Sequence, residues 1–229
     1  MGCSAILFDF NGVLIDDESL HRQLTADLLV AENLPPRLDK YCACCLGRAD
    51  AACLHCLLEA AGRSVAPNYL DKLVQRKQQA YLNALAQLPE LPLFPDTLAV
   101  IHQLHAQGVP LGLVSGAGRP EIEAVLSRAG LREAFAVIRA GDEGLASKPD
   151  PASYLAALAA LDIAPATSLA IEDSLVGVAA ARTAGLAVVG VAHTFPLHIL
   201  QRRCQWVVDD LRQLDWSAGV PSTERRPAG

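Results

Sequence analysis

Hydrophobic residues recur at two different spacings along the chain, and each spacing predicts a different type of element. A short continuous apolar run at residues 5–8 predicts a buried strand. From Asp17 to about Glu90 the hydrophobic residues return every three or four positions, and no strand pattern interrupts them. These predicted helices carry apolar stripes, which are Leu20, Leu24 and Leu28; Leu54, Leu57 and Leu58; and Leu70, Leu73, Val74, Tyr81 and Leu85.

After Pro92 and Pro95, short apolar runs alternate with helical patterns. Gly108, Gly130 and Gly185 mark the ends of three of these helices. The predicted helices are 96–107, 120–129, 151–161 and 174–184, and the predicted strands are 111–115, 136–139, 169–172, 186–191 and 206–208. This alternation is typical of a parallel sheet that is covered by helices on both faces.

The pattern therefore predicts an α/β fold in which an all-helical segment is inserted after the first strand. We assign residues 1–15 and 92–216 to a Rossmann-like core and residues 16–91 to the insertion. The tail at 217–229 is rich in Pro, Gly, Ser and Arg and has no apolar period, so we expect it to be disordered.

Composition narrows the class of protein. The 229 residues are 52% hydrophobic and only 5% aromatic, which is enough apolar material for a sizeable core of Leu, Ala and Val. The net charge of −6 offers no basic surface, so we expect no nucleic-acid partner. No apolar span of about twenty residues occurs and no basic segment precedes the first strand, so we expect no membrane helix and a cytoplasmic location.

The seven cysteines form an odd set, and five of them lie between Cys42 and Cys56. In a cytoplasmic protein such a set fits reduced thiols better than a disulfide framework. A zinc site is a less favoured alternative, because Cys is also a common small buried residue on packed helices.

Four polar segments follow a predicted strand or precede a predicted helix. Asp9 ends the first apolar run and is followed by a turn at Gly12. Ser115 and Gly116 end the strand at 111–115, and Glu172 and Asp173 end the strand at 169–172. Lys148 precedes the helix at 151–161. Because α/β folds build their sites at the carboxyl edge of the sheet, these side chains are expected to meet there.

These residue types suit phosphate chemistry. A carboxylate such as Asp9 can attack phosphorus, while a hydroxyl and a backbone N–H at Ser115 and Gly116 can hold a phosphate oxygen. A fixed cation at Lys148 can neutralise a phosphoryl group, and adjacent carboxylates are the hard oxygen ligands that Mg²⁺ prefers. Each feature has a structural alternative: a turn residue, a helix cap, a solvated surface charge or a capping cluster.

Together and in this order, the four segments resemble the motifs of the haloacid dehalogenase-like (HAD) superfamily, in the group that includes β-phosphoglucomutase and phosphoglycolate phosphatase. The resemblance covers all but the last fifteen or so residues. It implies a HAD core with a helical cap at 16–91, which closes over the site, excludes water and selects the substrate.

The resemblance also implies a role for each motif residue. Asp9 would be the nucleophile that forms an aspartyl-phosphate. The Mg²⁺ ligands would be Asp9, the backbone carbonyl of Asn11, Glu172 and Asp173. The groups that hold phosphoryl oxygens would be Ser115, the N–H of Gly116 and Lys148. Arg48, in the presumed substrate loop of the cap, is a candidate for binding a substrate anion, although such a residue is more often solvated.

The chain departs from the family pattern at Asn11, where the family usually has a second Asp. A carboxamide cannot give a proton to a leaving group, a contribution typically worth ~10²–10⁴-fold. At the position of Asp17, related proteins carry a Thr or Ser that lies close to the second Asp. The acid and its neutral partner could therefore have exchanged places here, with the acid at Asp17 and the neutral residue at Asn11. The alternative is that Asp17 only caps the first cap helix.

Two family branches also lack the second Asp. Dehalogenases need no metal, which the Glu172–Asp173 pair argues against, and phosphonatases use a cap lysine, which is missing around Gly47. We therefore expect a Mg²⁺-dependent phosphatase for a small phosphorylated metabolite, acting as a monomer or small homo-oligomer. The alternatives are a weakly active or inactive module that binds a ligand or a protein and, less favoured, a phosphomutase.

Overall fold

The short apolar runs form a single parallel sheet in the computed structural model, which describes residues 4–217. Its order is β3-β2-β1-β4-β5-β6, and β1, β2 and β4 are buried along their whole length because helices cover both faces. The strands are β1 Ala5–Phe8, β2 Leu111–Val114, β3 Val137–Arg139, β4 Ser168–Glu172, β5 Ala187–Val191 and β6 Trp206–Val208.

Helices on the two faces of the sheet enclose separate hydrophobic clusters. Successive side chains of β1 point to opposite faces, so Ile6 and Phe8 pack into one cluster and Leu7 packs into the other. The core helices are α5 Pro95–Ala106, α6 Arg119–Ala129, α7 Ala152–Leu161, α8 Leu175–Thr183 and the short α9 Leu197–Leu200. The Rossmann-like prediction is confirmed, and these elements begin and end within two residues of the predicted positions, except for α9, which was not predicted.

The inserted segment is all helical, as predicted, and has a hydrophobic cluster of its own that includes Leu29, Leu54 and Leu73. Its helices are α1 Glu18–Ala31, α2 Tyr41–Cys44, α3 Asp50–Ala60 and α4 Pro67–Gln87. We call this segment the cap. Its two connections to the core run side by side: the N–H of Asp16 donates to Pro92 O at 2.8 Å, and the N–H of Phe94 donates to Leu14 O at 3.0 Å.

The predicted division at 15/16 and 91/92 stays a prediction, although the paired connections lie there. The predicted disordered tail falls outside the described residues except for Ser217. Within residues 4–217, no helix has both the length and the apolar character needed to cross a membrane.

Two disulfides link α2 and the residue that follows it to α3, so the prediction of reduced thiols is wrong for four cysteines. Cys44 is bonded to Cys56 and Cys45 to Cys53, with Cα–Cα distances of 5.5 and 4.3 Å. Sequence spacing alone did not reveal that the two helices face each other closely enough for bonding. Disulfides are typical of oxidising surroundings, which is at odds with the expected cytoplasmic location.

We predict that the Cys45–Cys53 bond stabilises the cap. The bond closes a short loop between residues separated by 8 positions, for which loop entropy gives about 2–3 kcal/mol. The double replacement Cys45→Ser and Cys53→Ser should therefore lower the thermal midpoint by several degrees in a calorimetric scan. Cys42→Ser, at an exposed free cysteine, is the control and should stay within about 0.5 kcal/mol of the parent. Equal midpoints for all three proteins would refute the prediction.

Candidate active site

The strand register brings the sequence motifs to one edge of the sheet. Phe8 of β1 is paired with Leu113 of β2 on one side and with Ile171 of β4 on the other. The residues that follow these partners, Asp9 among them, therefore leave the sheet next to one another. β2 and β3 lie on one side of β1, and β4, β5 and β6 lie on the other side. The strand order thus reverses at β1, and α/β sheets form their sites at such a switch point.

Two donors hold the same carboxylate oxygen of Asp9. Its Oδ1 accepts a hydrogen bond from the Phe10 N–H at 2.8 Å and lies 3.0 Å from Lys148 Nζ. Burial and the nearby Glu172 charge raise the pKa of Asp9 to about 7, although Lys148 opposes this shift. Because the described contacts use Oδ1, Oδ2 is the oxygen that can face the pocket.

Lys148 is buried and is the main positive charge at this edge. Its ammonium donates to Glu172 Oε1 at 2.7 Å and to Val114 O at 3.0 Å, in addition to the contact with Asp9. Burial alone would lower the pKa of Lys148, but the two carboxylates outweigh it and raise the pKa. The alternative that Lys148 is a solvated surface charge is therefore wrong.

Three buried carboxylates meet beside this lysine and form an acidic cluster that could hold a metal ion. Oxygen atoms of Asp9, Glu172 and Asp173 lie within 4.8 Å of one another. Glu172 already accepts hydrogen bonds from Lys148, Tyr154 and Ser174. Asp173 Oδ1, in contrast, is buried and has no hydrogen-bond partner in the described chain. An oxygen in that state fits a cation, so the donor set suits Mg²⁺.

Two glycines let the backbone come close to the acidic cluster. Gly12 has a φ of +75°, and a Cβ at this position would lie 2.0 Å from Asp173 Oδ2. A Cβ on Gly177, in α8, would lie 2.1 Å from the Glu172 carboxylate. A larger residue at either position would displace one of the acids.

The second motif, at the end of β2, lies beside Asp9 and Lys148. Ser115 is buried, and its Oγ accepts a hydrogen bond from the Ala117 N–H at 2.9 Å. Gly116 and Ala117 line the pocket above Asp9, whereas Ser115 is not among the lining residues. The backbone at Gly116 is therefore better exposed to a ligand than the Ser115 side chain. The predicted phosphate-binding roles of both residues stay predictions.

The cap closes over the site and leaves a small catalytic pocket of about 40 Å³. Asp9, Asn11 and Asp173 line it from the core, and Arg48 and Lys77 line it from the cap. Arg48 ties the two parts together, because its Nη1 donates to Lys148 O at 3.3 Å and its carbonyl oxygen would lie 2.5 Å from a Cβ at Gly116. This volume is below the ~300–1,000 Å³ that is typical of small-molecule sites.

Asp17 holds the Asn11 side chain instead of capping α1. Its two carboxylate oxygens each lie 3.0 Å from Asn11 Nδ2, and the Tyr81 hydroxyl donates to Oδ2 at 2.6 Å. Asp17 occupies the N-cap position of α1 but makes no side-chain capping hydrogen bond, so the cap-only alternative is wrong. Burial would raise the pKa of Asp17, yet the His21 charge and the hydrogen bonds outweigh it and hold the pKa below its ordinary value.

Two buried basic side chains that were not predicted from the sequence reach the pocket from the cap. His21 Nε2 lies 3.4 Å from Asp17 Oδ2, and its Nδ1 lies 2.8 Å from Lys77 Nζ, which in turn pairs with Asp50. His21 Nε2 also lies 3.2 Å from Asn11 Nδ2, so this ring connects the cap network to Asn11. A signal was present, since Lys77 lies four residues from both Leu73 and Tyr81 on the buried stripe of α4.

Glu121 of α6 lies under this network and carries a perturbed carboxyl group. It is fully buried, and its Oε1 has no hydrogen-bond partner among the described residues. Burial and the Asp50 charge raise the pKa of Glu121 to about 7, against the opposing charges of His21 and Lys77. The cap and the core thus share one group of buried charges beneath the pocket.

Comparison with known proteins identifies the family. The family model of the haloacid dehalogenase-like hydrolases matches residues 3–185, which is most of the chain. The chain therefore belongs to the haloacid dehalogenase-like hydrolases, in the group with phosphoglycolate phosphatase and β-phosphoglucomutase. The phosphatases among its relatives support the prediction of a phosphoric monoester hydrolase.

Individual relatives cover nearly the whole chain. Validoxylamine A 7'-phosphate phosphatase of Streptomyces hygroscopicus subsp. limoneus is 30% identical over 94% of this chain and 98% of that protein. Protein CbbY of Rhodobacter capsulatus is 32% identical over 82% of this chain and 85% of that protein. A crystal structure of a CbbY variant from Rhodobacter sphaeroides with xylulose-(1,5)bisphosphate is 28% identical, covers 93% of this chain and 96% of that chain, and has a TM-score of 0.82.

We predict that Glu121 makes the protein less stable as the pH rises. A carboxyl group whose pKa is raised on folding from 4.5 to about 7 binds more protons in the folded state, so stability falls between these values. Glu121→Gln should remove the contribution of this group to the fall in the free energy of unfolding, which is on the order of 2 kcal/mol between pH 5 and 8. Urea unfolding at both pH values measures it, with Glu123→Gln on the same helix as control. Parallel pH profiles of parent and Glu121→Gln would contradict the assignment.

Proposed function

We propose that the protein is a Mg²⁺-dependent phosphatase that hydrolyses a small phosphorylated metabolite through an aspartyl-phosphate at Asp9. The observation that carries the proposal is the buried pair of Asp9 and Lys148, with the Asp9 Oδ1 held by two donors and the pocket next to the other oxygen. A nucleophile held in this way is aligned for in-line attack before the substrate binds.

The chemistry proceeds in two displacements. Asp9 Oδ2 attacks phosphorus, a bond forms between them, and the bond from phosphorus to the leaving oxygen breaks. Water then attacks the aspartyl-phosphate, which releases inorganic phosphate and restores the carboxylate. Lys148 and the N–H of Gly116 neutralise charge on the phosphoryl oxygens.

A Mg²⁺ ion, when bound, would add charge neutralisation at the phosphoryl oxygens. Asp9, the carbonyl of Asn11 and Asp173 are the ligands we propose, with Asp173 Oδ1 as the unpartnered oxygen. Glu172 belongs to the same cluster, but its hydrogen bonds to Lys148, Tyr154 and Ser174 suit it to orienting the lysine. This ranking refines the ligand set that the family resemblance implies.

The leaving group receives little help from Asn11. Its amide is turned toward Asp17 and cannot donate a proton to an ester oxygen in the way a carboxylic acid does. Asp17 is held ionised and does not line the pocket, so we propose that it positions Asn11 and is not the proton donor. Substrates whose leaving group departs without a proton should therefore react fastest.

The relatives indicate the substrate class. One is named for a 7'-phosphate of validoxylamine A, and a CbbY structure holds xylulose-(1,5)bisphosphate. Phosphorylated sugars and sugar-like metabolites are therefore the substrates to test first. A cytoplasmic location remains our expectation, and the two disulfides are the feature that weighs against it.

We predict Mg²⁺-dependent hydrolysis of phosphate monoesters that depends on Asp9. Purified protein should release phosphate from p-nitrophenyl phosphate and from some members of a sugar-phosphate panel, and chelation with EDTA should abolish the release. Asp9→Asn should lose at least about 10³-fold in kcat/KM, since the amide is not a nucleophile. Parent protein that never exceeds Asp9→Asn on any substrate would support the non-catalytic binding module instead.

We further predict that Asn11→Asp selectively accelerates substrates with poor leaving groups. The new carboxylate would lie where the amide now lies 3.0 Å from both Asp17 oxygens, so the two acids would share a proton that one of them can donate. Its kcat/KM should rise by up to ~10²-fold on a sugar phosphate and much less on p-nitrophenyl phosphate.

Asp17→Asn is the matched comparison. If Asp17 only positions Asn11, both substrates should lose activity by the same factor. A larger loss on the sugar phosphate would identify Asp17 as the proton donor, and an unchanged substrate ratio in Asn11→Asp would show that proton transfer does not limit the reaction.

A further inference from the structure

A second and larger cavity adjoins the catalytic pocket, in the seam between the cap and the core. It has a volume of about 590 Å³, and its walls share Asp50 and Gly116 with the catalytic pocket. We call it the seam cavity. The catalytic pocket, at about 40 Å³, has little room beyond a phosphoryl group, whereas the seam cavity lies in the size range of small-molecule sites.

The seam cavity exists because both walls are built from small residues. Ala51 and Ala52 at the start of α3 face Gly118 and Gly144 of the core across it. The shared edge is fixed, since a Cβ at Gly116 would lie 2.5 Å from Arg48 O and the Ala49 N–H donates to Ser147 Oγ at 2.9 Å. The two cavities lie on either side of this edge and share Asp50, which places the seam cavity next to the leaving-group side of a ligand in the catalytic pocket.

The side chains around the seam cavity favour hydroxyl groups and disfavour anions. Its polar side chains include the carboxylates of Asp50, Asp71 and Asp142 and the amides of Gln75 and Gln78. No lysine, arginine or histidine lines it in the part of the chain that the structure describes. Carboxylates and amides accept hydrogen bonds from sugar hydroxyls, whereas a phosphate placed among carboxylates would be repelled.

The nearest basic residues do not line the seam cavity. Lys77 pairs with Asp50 at 2.5 Å, and Arg48 lines only the catalytic pocket. A second phosphate that reached past Asp50 into the seam cavity would therefore meet no cation among the described lining residues. An unpaired charge of this kind costs binding energy.

We propose that the seam cavity is a subsite for an uncharged, hydroxyl-rich extension of the leaving group, such as a second sugar ring, and that it selects against a second phosphate. This inference rests on the proposed phosphatase function for the identity of the reacting group. The preferred substrates are thus monophosphates of disaccharide-like compounds.

Three ligands that share glucose 6-phosphate test the subsite. Trehalose 6-phosphate adds a glucosyl unit at the anomeric carbon, and glucose 1,6-bisphosphate adds a phosphate there. Calorimetry with Mg²⁺-loaded Asp9→Asn protein reads binding without turnover, so its outcome does not depend on catalysis. We expect trehalose 6-phosphate to bind about tenfold more tightly than glucose 6-phosphate, and glucose 1,6-bisphosphate to bind more weakly than both.

Variants in the cavity show whether the preference arises there. In the same Asp9→Asn background, Ala51→Trp fills the cavity and should remove most of the gain from the second sugar, while Ala60→Trp, at an exposed alanine on the same helix, should leave it intact. Asp71→Lys supplies a cation and should improve glucose 1,6-bisphosphate binding relative to Asp71→Asn.

Several outcomes would overturn the subsite. Trehalose 6-phosphate that binds no more tightly than glucose 6-phosphate would do so, as would a preference for the bisphosphate or equal effects of the two tryptophans. The parent protein could also hydrolyse no phosphate monoester while Asp9→Asn still binds trehalose 6-phosphate preferentially. That result would overturn the phosphatase function and leave the subsite supported.

Discussion

The buried ammonium of Lys148 is the interaction on which the site depends. Three carboxylates are removed from water at the carboxyl edge of the sheet, and each would be strongly disfavoured as an anion without a nearby cation. Lys148 lies 3.0 Å from Asp9 and 2.7 Å from Glu172, so it compensates both while the backbone carbonyl of Val114 accepts a third hydrogen bond. The same contacts fix the Asp9 carboxylate, which is the nucleophile in the mechanism that we propose.

Strand register sets the positions of the site residues in the core, whereas polar contacts between side chains set them in the cap. In the core, paired strands set the positions of Asp9 and Glu172, and close-packed glycines keep the acids where they are. In the cap, a chain of polar contacts runs from Asp17 through His21 to Lys77 and Asp50. The core thus positions the acidic cluster, whereas the cap carries a buried charged network that reaches the core through the contact between Asp17 and Asn11.

The sequence predicted the fold well because hydrophobic spacing reports burial directly. Strands such as β4 and helices such as α6 end where the apolar period ends. The charged parts of the cap were harder to predict, because His21 and Lys77 look like surface residues until tertiary packing brings α1 and α4 together. The disulfides were missed for the same reason, since bonding depends on the distance between α2 and α3 and not on spacing within either. The seam cavity is likewise a product of packing.

The exchange at Asn11 separates two contributions to catalysis that usually occur together. In the mechanism that we propose, electrostatic stabilisation of the phosphoryl group comes from Lys148, Gly116 and the acidic cluster, which lie together at the sheet edge. Proton transfer, typically worth ~10²–10⁴-fold, depends on the residue that here is an amide anchored to Asp17. Because the first contribution is commonly the largest single one in such sites, the loss of the second should narrow the range of substrates without ending catalysis. Sugar esters should then react more slowly than activated esters, so that discrimination among sugar esters depends on how the leaving group is bound.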